Sequence, residues 1–124
     1  MRVLVVEPER RPELREIDGS LESMQEIVGG LIQSVYPFDE PVALVCNDEG
    51  KLMNLPANRG LRDEAGQIYD IVFGTFFLCG APNDSDSFTS LTPEQIEQYR
   101  KRFYTPEMFW GMNGRIICIP MEVD

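Results

Sequence analysis

The residues that could do chemistry gather in one stretch, "NLPANRGLRDEAGQIYDIVFGTFFLCG", positions 54–80. Asn58 and Arg59 stand in its polar half, Arg62 follows, and Asp70 lies inside the apolar run "IYDIVFG". An arginine presents a planar fork of donors that matches a carboxylate or a phosphate. A carboxylate in a buried strand is costly unless paired, and such groups often carry shifted pKa values. The preferred reading of Asp70 is an outward-facing strand residue near a sheet edge; buried and paired with Arg59 or Arg62, it would instead mark a small-ligand or enzymatic site. "PANRGL" also has what a fixed turn needs. Pro56 restricts Leu55, Asn58 can bond its own backbone, and Gly60 permits a positive φ. The preferred reading is a turn held by a structural arginine.

Elsewhere the chemistry is mostly excluded. There is no histidine, which removes Ser-His-Asp and Cys-His catalysis and His-ligated metals. Cys46, Cys79 and Cys118 form no C-x-x-C pair, and each ends or sits in an apolar run: "VALVC", "FFLC", "IIC". They are predicted as buried, reduced core residues. Their odd number and an N-terminus without a secretory pattern predict a reducing cytoplasm. No metal and no cofactor are expected. The loop "NDSDS" (83–87) opens like a calcium loop but lacks the closing Gly and Glu, and reads as a solvated turn. No G-x-S-x-G, P-loop or G-x-G-x-x-G is present. The longest apolar run, 71–79, is too short to span a bilayer. Phe109, Trp110 and Met112 are expected to pack into the core; left exposed, they would be a protein-binding surface.

Eleven basic and 21 acidic residues give a net charge of −10. Anionic surfaces would repel such a chain, so neither direct nucleic-acid binding nor membrane binding is expected. The charge suits solubility or a basic protein partner. Glu22 and Glu26 on the first predicted helix, and Asp84 and Asp86 in the long loop, are the candidate acidic contacts. The one basic cluster, Arg100-Lys101-Arg102, falls where cations complement a helix C-terminus.

The elements that would position these residues follow from periodicity. "VLVV" opens the chain as a buried strand, and "RPELREI" returns as an edge strand. "SLESMQEIVGG" predicts a short helix capped by Ser20, carrying Leu21, Met24, Ile27 and Val28 on one stripe and ended by Gly29-Gly30. "LIQSVYPF" is a strand. "VALVC" is another, turning through "NDEG" into a return at 51–54. "LPANRGL" is a loop. Residues 68–79 form one long central strand in which Gly74 marks a bulge or a close approach. "LTPEQIEQYRKRF" has the Thr-Pro-x-Gln start of a capped helix, and "YTPEMFW" is expected to begin a second. "GRIICIP" is a final strand. The result is a single α+β domain over residues 1–124, a mixed, mainly antiparallel sheet with two to three short helices mainly on one face.

Three stretches, "LVVEPERRPELREIDGSLESMQEIVGG", "PVALVCNDEGKLMNLPANRGLRD" and "IYDIVFGTFFLCG", together resemble a family of small uncharacterised proteins of bacterial conjugative elements and phages, often found near antirestriction proteins. The family has no assigned function, so the resemblance implies a context and no catalytic residues. The leading expectation is a non-enzymatic acidic interaction module of a mobile element. Its partner would be a basic nucleic-acid-handling host enzyme, inhibited in the manner of an anti-CRISPR or antirestriction protein. The alternatives are a ligand-binding or enzymatic domain using Arg59, Arg62 and Asp70, and an accessory of element DNA transfer. The binding candidates are Asn58, Arg59, Arg62, Asp70, Glu22, Glu26, Asp84, Asp86 and Trp110.

Overall fold

Val3, Leu4, Val5 and Val6 are all buried, so the strand that carries them must be covered on both faces. The computed structural model describes residues 1–122. Eleven elements run in order: β1 (Arg2–Val6), β2 (Glu13–Glu16), α1 (Leu21–Val28), β3 (Ile32–Val35), β4 (Val42–Asn47), β5 (Ala57–Arg62), β6 (Ile68–Phe73), β7 (Phe76–Gly80), α2 (Pro93–Arg102), β8 (Glu107–Met112) and β9 (Arg115–Pro120). Five strands form one sheet in the order β2-β1-β7-β4-β3, with antiparallel pairing throughout. β5 with β6, and β8 with β9, form separate two-stranded hairpins.

Register turns the apolar runs into two cores. Leu4 lies opposite Leu78, and Leu78 opposite Leu44, so three leucines cross the sheet on one face. Val5, Phe77 and Val45 make the matching row on the other. α2 covers the leucine face with Ile96, Tyr99 and Phe103, joined by Leu61 and Val72 of the β5–β6 hairpin. α1 covers the other face with Met24 and Val28. Full burial of each such aliphatic side chain contributes roughly 1.5–3 kcal/mol.

The helix ends are built as their residues require. Ser20 accepts the Ser23 N–H, and Gly29 ends α1 at φ 79°. Thr92 and Gln95 form the capping box of α2, with Pro93 in its first turn.

The α+β class and the mainly antiparallel sheet hold, but five local expectations are corrected. The helices take opposite faces of the sheet, because both faces of β1, β4 and β7 are apolar and each needs a cover. The return expected at 51–54 is turn structure, in which Asn54 takes φ 55° and Asn47 accepts the Glu49 N–H. "ANRGLR" is the strand β5, not a loop. Its ladder with β6 and its buried polar side chains outweigh its weak strand propensity. Residues 68–79 are two strands. They break at Gly74, where φ is +84° and an added Cβ would stand 2.7 Å from Leu55 Cδ1. β7 alone takes the central place.

The expected second helix at "TPEMFW" is the strand β8. Asn113 and Gly114, with φ of 52° and 75°, turn it into β9. Both central residues at positive φ define the hairpin turn for which Asn-Gly is the strongest short signal.

Candidate functional site

Asn58 and Arg59 belong to the interior. Arg59 is 1% exposed. Its Nε and Nη2 donate to the Phe103 carbonyl at 3.1 and 3.0 Å, and Nη2 also reaches the Arg10 carbonyl at 2.6 Å. Nη1 donates to the Asn58 carbonyl and Oδ1 at 3.3 and 2.8 Å. A guanidinium has five donors, and five bonds are made. None remains for a ligand. Burial pulls the Arg59 pKa down to about 10. Asn58 Nδ2 donates to the carbonyls of Val6 and Gly74 at 2.8 and 2.9 Å. The pair therefore ties β1, the turn after it, the break at Gly74 and the end of α2 to β5.

Asp70 is exposed on β6, in agreement with an outward-facing strand residue. It pairs with Lys51 at 3.0 Å instead of either arginine. Arg62 pairs with Glu107 through both carboxylate oxygens. Glu107 also accepts the Gly60 N–H at 3.0 Å and the Cys118 thiol at 2.9 Å. This nearly enclosed carboxylate latches the β8–β9 hairpin to the β5–β6 hairpin. Burial pushes its pKa up, but Arg62, the Cys118 thiol and the Gly60 amide outweigh that and hold it below the usual range. Cys118 is half-buried, a correction to the expected core position, because the inner face of β9 meets Glu107 and not the main core. Burial and Glu107 raise its thiol to about 11, so it stays protonated near neutral pH and is a poor nucleophile. Cys46 and Cys79 are buried as expected, and burial pushes the Cys79 thiol up to about 12.

Arg62 and Asp70 do line one open cleft, of about 1100 Å³, between the two hairpins. Each is already engaged there by a protein partner, and Arg59 takes no part. Among the described residues, no three of Cys, Asp or Glu gather as metal ligands.

The exposed carboxylates make a feature that sequence spacing does not show. Asp39 and Glu40 follow β3, Asp63 and Glu64 follow β5, and Asp86 lies in the loop after β7. One cleft, about 700 Å³, is lined by Asp39, Glu40, Asp63 and Glu64. A neighbouring cleft of about 430 Å³ is lined by Asp39, Glu40 and Asp86. Together they form an acidic band. Two arginines border it, but Arg62 is held by Glu107 and Arg102 sits 4.9 Å from the centre of the Phe38 ring. Asp39, Asp63, Glu64 and Asp86 make no ion pair among the described residues. Glu40 accepts from Gln98 Nε2 at 2.5 Å and from the Tyr99 hydroxyl at 2.9 Å, and these bonds lower its pKa. Of the candidate acidic residues, Asp86 joins this band. Asp84 is exposed in the same loop, and Glu22 and Glu26 are exposed on α1.

Trp110 and Met112 are exposed on β8, a correction to their expected burial. Among the described residues no helix is long and apolar enough to cross a membrane.

An antiparallel sheet with a helix on either face, its buried arginine consumed internally and its carboxylates turned outward, defines an acidic α+β domain. The chain belongs to the family of the domain of unknown function DUF3846, which matches residues 1–104. The matched span ends just before β8. No curated protein and no solved structure matches the chain.

Proposed function

We propose that this chain is a non-enzymatic, cytoplasmic protein-interaction module that offers its acidic band to a basic surface of a partner protein. The observation that carries the reading is the band itself: five carboxylates from three separate connections, bordered by Arg62, which Glu107 pairs, and by a single further cation, Arg102. A concentration of unpaired negative charge steers a basic partner and raises its association rate. Asp84, in the loop that carries Asp86, and Glu22 and Glu26, exposed on α1, are further candidate contacts.

The finer reading is an inhibitor of a nucleic-acid-targeting defence enzyme, encoded on a mobile element. It is supported by the resemblance to conjugative-element and phage proteins and by the net charge of −10. Such an enzyme must carry a basic groove for nucleic acid, which is the complement of the band.

The test is an interference assay in cells carrying restriction or CRISPR systems, with the native protein and a triple variant Asp39→Asn, Glu64→Gln, Asp86→Asn. The reading expects protection by the native protein and its loss in the variant. Absence of protection against every system, together with a thermal shift from a nucleotide or metabolite library, would move the site to the cleft of Arg62 and Asp70.

A further inference from the structure

Cross-strand pairs in the β8–β9 hairpin divide its side chains between two faces. Glu107, Phe109 and Cys118 share the inner face, which meets the β5–β6 hairpin through Glu107. Met108 pairs with Ile119, Trp110 with Ile117, and Met112 with Arg115 on the outer face. That outer face is uncovered: Trp110 is 57% exposed, Met112 56%, Ile119 43%, Ile117 40% and Met108 38%. Contiguous large apolar side chains on one strand face mark a contact surface, whereas scattered ones do not.

The geometry points to a second copy of this chain as the occupant, stacked face to face about a two-fold axis. Charge selects the copy over a basic partner. The molecule carries −10, yet this face holds no carboxylate, and its single charge is Arg115. A partner drawn by negative charge finds nothing here to meet. Two identical molecules, which repel through their acidic surfaces, can approach through this neutral one. With the hairpins antiparallel across the axis, the two Arg115 tips lie at opposite ends. Six residues of strand then separate them by roughly 20 Å, beyond the Debye length of about 8 Å at physiological salt. Area agrees. Five half-exposed large side chains offer roughly 500 Å² per copy, so the pair would bury on the order of 1,000 Å², the floor for a specific interface. A dissociation constant in the micromolar range is expected at that size. The dimer leaves the acidic bands outside the contact and doubles them.

Trp110 is the only tryptophan, so its emission reports this face directly. The experiment is analytical ultracentrifugation of the native protein over a dilution series, with tryptophan emission read on the same samples. A closed two-chain species is expected, with blue-shifted emission that moves red as it dissociates. Ile117→Glu, opposite Trp110, should give a monomer with solvent-exposed emission and unchanged far-UV circular dichroism. Met112→Lys, near the hairpin tip, serves the same purpose if the first variant does not fold. Three results would overturn the proposal: a monomer at about 100-fold above micromolar concentration, a dimer that persists in the folded variants, or association without limit. No partner protein enters the measurement, so its failure and that of the acidic-band reading are separate.

Discussion

Arg59 is a cation buried among carbonyls, with no ion pair among the described residues. Loss of its side chain leaves the carbonyls of Phe103 and Arg10 without these donors. Stranded buried acceptors and the void together should cost about 3 kcal/mol or more. Arg59→Ala is therefore expected to lower the melting temperature by roughly 10 °C in a domain of this size. Arg59→Lys should not restore it, because a point ammonium cannot bridge acceptors set for a planar fork. Thermal denaturation followed by circular dichroism measures both. Glu107 gives the pH dependence. Its folded pKa lies below its unfolded one, so its stabilisation is fully present above the unfolded value of about 4.3 and is lost as pH falls through the folded value. The stability difference between native protein and Glu107→Gln should be constant above about pH 5.5 and shrink below pH 4.3. Equal acid sensitivity in the two proteins would show that the latch contributes nothing.

The elements show what was legible and what was not. The capping box of α2 and the Ser20 cap and Gly29 end of α1 follow from local residue types, because their bonds close within a few residues; the edge strand β2 follows from its charged residues after the apolar β1. β5 was not legible as a strand. Apart from the bonds between the two, its Asn58 and Arg59 are satisfied by Val6, Arg10, Gly74 and Phe103, all distant in sequence, and no local pattern announces those partners. The hairpin β8–β9 was legible in principle. Asn113-Gly114 is its turn signal, but the Thr105-Pro106 pair resembles a helix start and masked it. Gly74 marks more than a bulge. It separates an outlying hairpin strand from the central strand β7. Gly74→Ala imposes a positive φ on a residue with a Cβ and drives that Cβ into Leu55. A loss of about 2 kcal/mol or more in urea unfolding is expected, against near-neutral effects at Gly66→Asn, where space is open and the turn tolerates Asn.

At the scale of the whole molecule, composition announced the negative charge but not its arrangement. Asp39, Glu64 and Asp86 are turn residues far apart in sequence, and only the packing of three connections places them around adjoining clefts. The same topology pairs Arg62 with Glu107, so of the two bordering arginines only Arg102, stacked on Phe38, sets its charge against five carboxylates, and the band stays negative. Attraction to a basic partner across such a surface is screened by salt, and neutralising the band should slow association more than it speeds dissociation. The most direct measurement is capture from cells by the tagged protein at low and high salt, with bound proteins identified by mass spectrometry. The native chain should retain a basic protein that is lost at high salt and absent from capture by the Asp39→Asn, Glu64→Gln, Asp86→Asn variant. Recovery of the same partner by native and neutralised protein, at either salt concentration, would contradict the account.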